Sequence, residues 1–181
     1  KVAGLKPEEA AEFSSAVDAK WFSYLARQVE AVEQELQSTS KAVRRLVRPR
    51  RYPSACLLEP FYRRASKALE ALPETLPDGV LSSKEQRDLF EIARAFHRTP
   101  SRARDAGIKA FIESELVEMK DFFDGISDTP LTAEQRRAVV SDEDATLVLA
   151  GAGSGKTTVI VAKAAHLIER GIRSPTEILL I

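Results

Sequence analysis

Residues Ala150-Gly151-Ala152-Gly153-Ser154-Gly155-Lys156-Thr157 have the types and spacing of a loop that cradles a phosphate chain. Small residues let the backbone close around the anion. Its N–H groups, with the N-terminus of a following helix, then face the phosphate oxygens. Lys156 would sit against the β- and γ-phosphates, Thr157 would place its hydroxyl on Mg²⁺, and Thr158 follows in the same first turn. Ala150 stands where the general pattern has its first glycine. The plain alternative is a glycine-rich turn between two elements. An apolar run before the loop, a helical stretch after it, and Lys and Thr in register favour the nucleotide. A dinucleotide loop is disfavoured, because the sixth position of a Gly-x-Gly-x-x-Gly counted from Gly151 falls on Lys156. The expected ligand is a nucleoside triphosphate.

These residues can act only if flanking elements hold them. Ala145-Thr146-Leu147-Val148-Leu149-Ala150 is an apolar run of strand length, as in a buried parallel strand. A helix is expected from about Gly155 to Arg170 with Gly171 as its stop, and a second apolar run begins at Ile178. Strand, loop, helix and strand would make one β-α-β unit of a parallel α/β sheet, broken off at its second strand. Upstream, Thr132 can cap a short helix with Gln135 at the capping-box position. Gln135 has a second reading: its amide can donate and accept, which matches N7 and the N6 amino group of adenine. Both readings stand at the level of sequence.

Residues 1 to 125 show no β-type alternation and read as an all-helical module. Val17, Trp21, Leu25, Val29, Val32, Leu36, Val43 and Val47 recur at helical spacing from about Pro7, and Pro49 and Pro53 end that helix. A second helix is expected from Ser54 to Leu72, and a third is capped by Ser83 and ends before Pro100. A fourth runs from about Arg104 to Phe123. Trp21, Phe22 and Tyr24 are expected as core or hairpin contacts. The domain division expected is 1–125 and 126–181.

The 27 basic and 27 acidic side chains cancel, so no global field announces a nucleic-acid partner and any such contact must be a local patch. Arg44, Arg45, Arg48, Arg50 and Arg51, with Lys41, form one, in a stretch free of acidic residues from Ser38 to Leu58. It could grip phosphates, with Tyr52 stacking on a base, or be a solvated helix end whose cations suit the dipole. Arg98, Arg102 and Arg104 read as a solvent-facing basic loop, and Glu113, Glu115, Glu118, Asp121 and Asp124 as an exposed acidic face. His166 is expected on a helix surface. The single cysteine, Cys56, excludes an internal disulfide, fits a reducing compartment and reads as a buried or inert thiol. No apolar run approaches the roughly 20 residues that span a bilayer, and no signal-peptide core opens the chain, so a soluble cytoplasmic protein is expected. A start without Met and an end inside Ile178–Ile181 point to part of something longer.

Pro130-Leu131-Thr132-x-x-Gln135-x-x-Ala138-Val139-Val140, followed by Leu147 through Thr157, resembles the opening of superfamily 1 DNA helicases of the UvrD/Rep type. The first run is similar to their adenine-reading Q motif and the second to their motif I, where alanine at the position of Ala150 is usual. Phe111-Ile112-x-x-Glu115-Leu116 through Phe122-Phe123-Asp124, and Arg50-Arg51-Tyr52, resemble the helical segments of the helicase IV branch more loosely. The resemblance implies an α + α/β chain, in which a helical accessory module precedes the first β-α-β unit of a RecA-like P-loop NTPase sheet. It also implies ATP and Mg²⁺ as ligands and movement on single-stranded DNA or DNA junctions, as in DNA repair. Gln135 would take the adenine, Ala150 to Gly155 with Thr158 the phosphates, Lys156 the phosphate charge and Thr157 the metal, Lys156 and Thr157 being the catalytic pair. An alternative implied by the same branch is a helicase-like ATPase whose helical arm remodels a protein partner such as RNA polymerase. The acidic pair that activates water and the transition-state arginines are not in this sequence, so no appreciable ATPase is expected of these 181 residues alone.

Overall fold

The computed structural model describes residues 6–181. Among them the elements are α1 (Pro7–Arg45), α2 (Ala55–Glu70), α3 (Lys84–Arg98), α4 (Pro100–Glu118), α5 (Lys120–Gly125), α6 (Ala133–Val140) and α7 (Lys156–Glu169), with a 3-10 turn at Pro175–Glu177. The chain divides into two compact units. One takes the chain up to Arg44 together with Glu59–Pro100, and the other takes Arg45–Leu58 together with Ser101–Ile181.

In the first unit Pro7, Glu8 and Glu9 open α1, where a missing N–H is harmless and negative charge meets the positive end of the helix dipole. Leu25, Val29 and Leu36 of α1 pack with Ala68, Leu72, Val80, Phe90 and Ala93 into a core. Thr39 Oγ1 donates to the Phe61 carbonyl at 3.3 Å. Ser83 caps α3 as expected, accepting from Gln86 N at 3.0 Å, while Gln86 Nε2 reaches Glu33 of α1 at 3.1 Å. The expected core role of Trp21, Phe22 and Tyr24 needs correction: they are 50, 39 and 44% exposed, and Trp21 and Tyr24 stack on each other at 5.5 Å. Phe22 alone reaches a turn, lying over Gly79. The reason is length: α1 has 39 residues and α2 only 16, so the shorter helix covers only part of the longer one's apolar stripe.

In the second unit Phe111, Ile112, Met119, Phe123, Leu131, Val139, Val140, Val159 and Ala162 form the core. Pro100 opens α4 instead of merely following α3, as its fixed φ suits a first helical turn. The expected fourth helix is two, because Met119 leaves the helical region (φ −99°, ψ 19°) between α4 and α5. Gly107 of α4 lets Leu46 approach so closely that a β-carbon there would fall 3.2 Å from the Leu46 side chain.

The expected β-α-β unit of a RecA-like parallel sheet is not present; the described residues contain helices and no strand. The helix of that unit forms as α7, but the apolar runs on either side of it take no regular structure and have no ladder partners. Leu147 and Leu149 are 82 and 86% exposed and Leu179 is 80% exposed. A strand exists only through hydrogen bonds to a neighbour, and β-propensity and apolarity cannot replace them.

Candidate functional site

The short helix α6 and the loop before α7 are joined by one side chain. Thr132 Oγ1 accepts from Gln135 N at 3.3 Å and Gln135 Oε1 accepts from Thr132 N at 2.8 Å, which completes the capping box. Gln135 Nε2 then donates to the Ser154 carbonyl at 2.9 Å. One N–H and one lone pair of the amide remain unused by these bonds.

The loop itself turns on two glycines with left-handed backbone, Gly153 (φ +72°) and Gly155 (φ +80°), the latter capping α7. Gln135 Nε2 lies where a side chain on Gly155 would have to go. Ser154 Oγ donates to the Gly151 carbonyl at 2.7 Å, and Lys156 Nζ donates to the carbonyls of Ala150 (3.0 Å) and Gly151 (2.7 Å). The ammonium is thus folded over the loop it belongs to. Lys156 and Thr157 are exposed, Thr158 is half-buried, and the first-turn N–H groups of α7 lack intrahelical partners by construction. Gly151, Ala152 and Gly153 are exposed, and a β-carbon at Gly151 or Gly153 would meet nothing within 4 Å.

The run leading into this loop is anchored at its start. Ala55 N–H donates to Glu143 Oε1 at 3.0 Å and Cys56 N–H to Asp144 Oδ2 at 2.8 Å, so two acidic side chains hold the first turn of α2. Arg104 pairs with Glu143 and donates to the Pro53 carbonyl at 3.1 Å, so it is not the solvent-facing residue expected. Hydrogen bonds from the Cys56 thiol and backbone hold the Asp144 carboxyl below its ordinary range. Cys56 is exposed, so of the expected buried or inert thiol the buried form is excluded.

Sequence reasoning missed a buried cluster under α7. Glu115 is 2% exposed and His166 1%, although both were expected at the surface. Glu115 Oε1 meets His166 Nε2 at 2.8 Å and Arg170 Nε at 2.8 Å. Burial pushes the imidazole below its ordinary value, with Glu115 opposing, so the ring is neutral and donates from Nε2. Nδ1 is buried with no partner among the described residues. Spacing carried the signal: Glu115 falls four and three residues after the core side chains Phe111 and Ile112, and His166 seven and four after Val159 and Ala162.

Arg44, Arg45, Arg48, Arg50 and Arg51 are exposed, and none forms an ion pair among the described residues. His97 stacks on Tyr62 at 5.5 Å. No cluster of metal-ligating side chains and no helix long and apolar enough to cross a membrane occurs among the described residues.

The match to known families falls on the segment that carries Gln135 and the loop. Residues 131–181 match the UvrD/REP helicase N-terminal domain. The chain is 43% identical to DNA helicase IV of Escherichia coli (strain K12) over 116 residues, 64% of this chain and 17% of that protein. That alignment is longer than the helicase-domain match, so the likeness extends into the helices that precede it. The putative ATP-dependent DNA helicase YjcD of Bacillus subtilis (strain 168) is 51% identical over 51 residues, 28% of this chain and 7% of that protein. The probable DNA helicase II homolog of Rickettsia conorii (strain ATCC VR-613 / Malish 7) is 45% identical over 49 residues, 27% of this chain and 8% of that one. The chain therefore spans less than a fifth of the UvrD-type helicases it resembles. No solved structure gives a significant match.

Proposed function

We propose that this chain is the N-terminal part of an ATP-dependent DNA helicase that binds and hydrolyses ATP to move on single-stranded DNA. The observation that carries the reading is that the segment matching the UvrD/REP domain contains both Gln135 and the 150–157 loop, and that Gln135 is hydrogen-bonded to that loop. The left-handed glycines, the unpaired N–H groups opening α7 and a lysine already folded over the loop fit a polyphosphate. Ala150, Gly151, Ala152, Gly153, Ser154 and Gly155 would cradle it, and Lys156 would exchange two carbonyl partners for phosphate oxygens. Thr157 would hold Mg²⁺, which when bound neutralises phosphate charge, and Thr158 would add a donor beside it. Gln135 keeps one N–H and one acceptor for the adenine edge while its other two bonds stay in place. On this reading residues 126–181 open the motor and 1–125 are an accessory module, with Arg44, Arg45, Arg48, Arg50 and Arg51 as phosphate contacts for DNA.

The test is calorimetric titration of the chain with a non-hydrolysable ATP analogue and Mg²⁺. Lys156→Ala is expected to weaken binding by about tenfold or more. An unchanged affinity would overturn the loop assignment. Hydrolysis by the 181 residues alone is expected to be negligible, and turnover that Lys156→Ala abolishes would contradict that expectation. Exposed Phe13, Val17, Trp21 and Tyr24 along α1 favour a second reading, in which the helical module contacts a protein such as RNA polymerase. DNA-stimulated hydrolysis by the longer protein supports the first reading, and polymerase-stimulated hydrolysis the second.

A further inference from the structure

Within the second unit, a cavity of about 400 Å³ lies at the C-terminal end of α7, opposite the end that carries the loop. Arg50, Arg51, Tyr52, Phe111, Ile172 and Arg173 are among the residues that line it. The backbone on the α7 side is fixed. Gly171 (φ +62°) donates to the Ile168 carbonyl at 2.9 Å and Ile172 to the Leu167 carbonyl at 2.8 Å, a paired closure that holds Ile172 and Arg173 in place.

Charge in this cavity is unbalanced. Its two carboxylates are already engaged: Glu115 by His166 and Arg170, and Asp142 by Lys163 at 3.5 Å. Arg50, Arg51 and Arg173 form no ion pair among the described residues; Arg173 Nη1 donates to the adjacent Ile172 carbonyl, and its charge is felt more weakly by Glu177. Guanidiniums outside any ion pair suit phosphate oxygens, since a planar fork can bind them bidentately. Tyr52 and Phe111, packed edge to face at 5.8 Å, add aromatic surface, and Ile172 adds apolar surface. The volume falls in the range of small-molecule sites.

We propose that this cavity binds a nucleoside monophosphate group, its phosphate on Arg50, Arg51 and Arg173 and its base or sugar against Tyr52, Phe111 and Ile172. The group is either a free mononucleotide or the 5′-phosphorylated end of a strand. The site is distinct from the loop, because the 14 residues of α7 separate the two by about 20 Å. It rests on the reading of Arg50 and Arg51 as phosphate-binding residues and adds Arg173, which lies far from them in sequence.

The test is equilibrium dialysis of labelled AMP against the Lys156→Ala chain, in which the loop is disabled. One saturable site is expected, weakened about tenfold or more by Arg51→Ala or by Arg173→Ala and left within about twofold by Arg98→Ala, an exposed arginine that does not line the cavity. Competition by a 5′-phosphorylated oligonucleotide but not by its 5′-hydroxyl twin assigns the group to a strand end. Failure of both oligonucleotides to compete assigns it to a free nucleotide. No saturable AMP binding, or binding indifferent to Arg51→Ala and Arg173→Ala, overturns the proposal. These arginines lie at the surface, and an unchanged urea midpoint in each variant separates lost binding from lost fold. The DNA-patch reading fails separately, by a salt dependence of DNA binding that Arg44→Ala, Arg45→Ala and Arg48→Ala leave unchanged.

Discussion

A methyl group on Gly155 would fall 2.9 Å from Gln135 Nε2, at a φ of +80° that side chains rarely adopt. Gly155→Ala is therefore expected to cost roughly 1–2 kcal/mol of stability from backbone strain and to break the Gln135–Ser154 bond. Urea unfolding measures the first, and weaker binding of the ATP analogue reports the second. His166 acts at the same scale through a proton. Its folded value lies below its ordinary 6.5, mainly because the ring is buried, so the unfolded chain takes up the proton first as pH falls. The contribution of the neutral ring is complete above about pH 6.5 and is lost progressively below it. A urea midpoint that falls as pH drops below about 6.5 is expected, and His166→Gln should flatten that decline. Asp124 and Asp144 titrate in a separate, more acidic window. Lys120 and Arg136 lower the first and hydrogen bonds from Cys56 lower the second, so their contributions fade only as pH falls below about 4.

Helix α1 divides into a half that packs and a half that does not. Leu36 is fully buried and Trp21 half exposed, so Leu36→Ala should cost about 3 kcal/mol and Trp21→Ala less than about 1 kcal/mol, read from thermal or urea unfolding. Equal costs would mean that the exposed stripe is covered. The periodicity of α1 was legible in its sequence, as were the caps at Ser83 and Thr132 and the stop at Gly171, because each depends on residues within one or two turns. Pro100 was misread because a proline both ends one helix and opens another, and only the path of the chain decides which. Glu115 and His166 were misread because charge was weighed above position: each lies on a buried stripe, and its polarity is met by the other. The apolar runs at 145–150 and 178–181 were legible as segments but not as strands, since ladder partners are not a local property. The loop was legible from type and spacing, but its hydrogen bond to Gln135 of α6 was not, and the cavity at the end of α7 joins residues more than a hundred positions apart and left no trace in the order of the chain.

At the scale of the molecule, the short stretch Arg45–Leu58, from the last residue of α1 through the first turn of α2, belongs to the second unit. Its anchor is the pair of bonds from Ala55 and Cys56 to Glu143 and Asp144, 88 residues away, reinforced by Arg104. Asp144 directly precedes the run that ends in the phosphate loop, so the loop and the first turn of α2 are linked through that run and the Cys56–Asp144 bond. Cys56 sits there, exposed, and it is the only thiol in the chain. The protein therefore carries its own clock. The thiol is already accessible but hydrogen-bonded to Asp144, so the rate at which a maleimide alkylates Cys56 reports how firmly this anchorage holds the thiol, with no label introduced elsewhere. Arg104→Ala is expected to speed alkylation severalfold by freeing Glu143, as mass spectrometry over a time course would register. Saturation with the ATP analogue should change the same rate if the loop and the anchor move together, and leave it untouched if they do not.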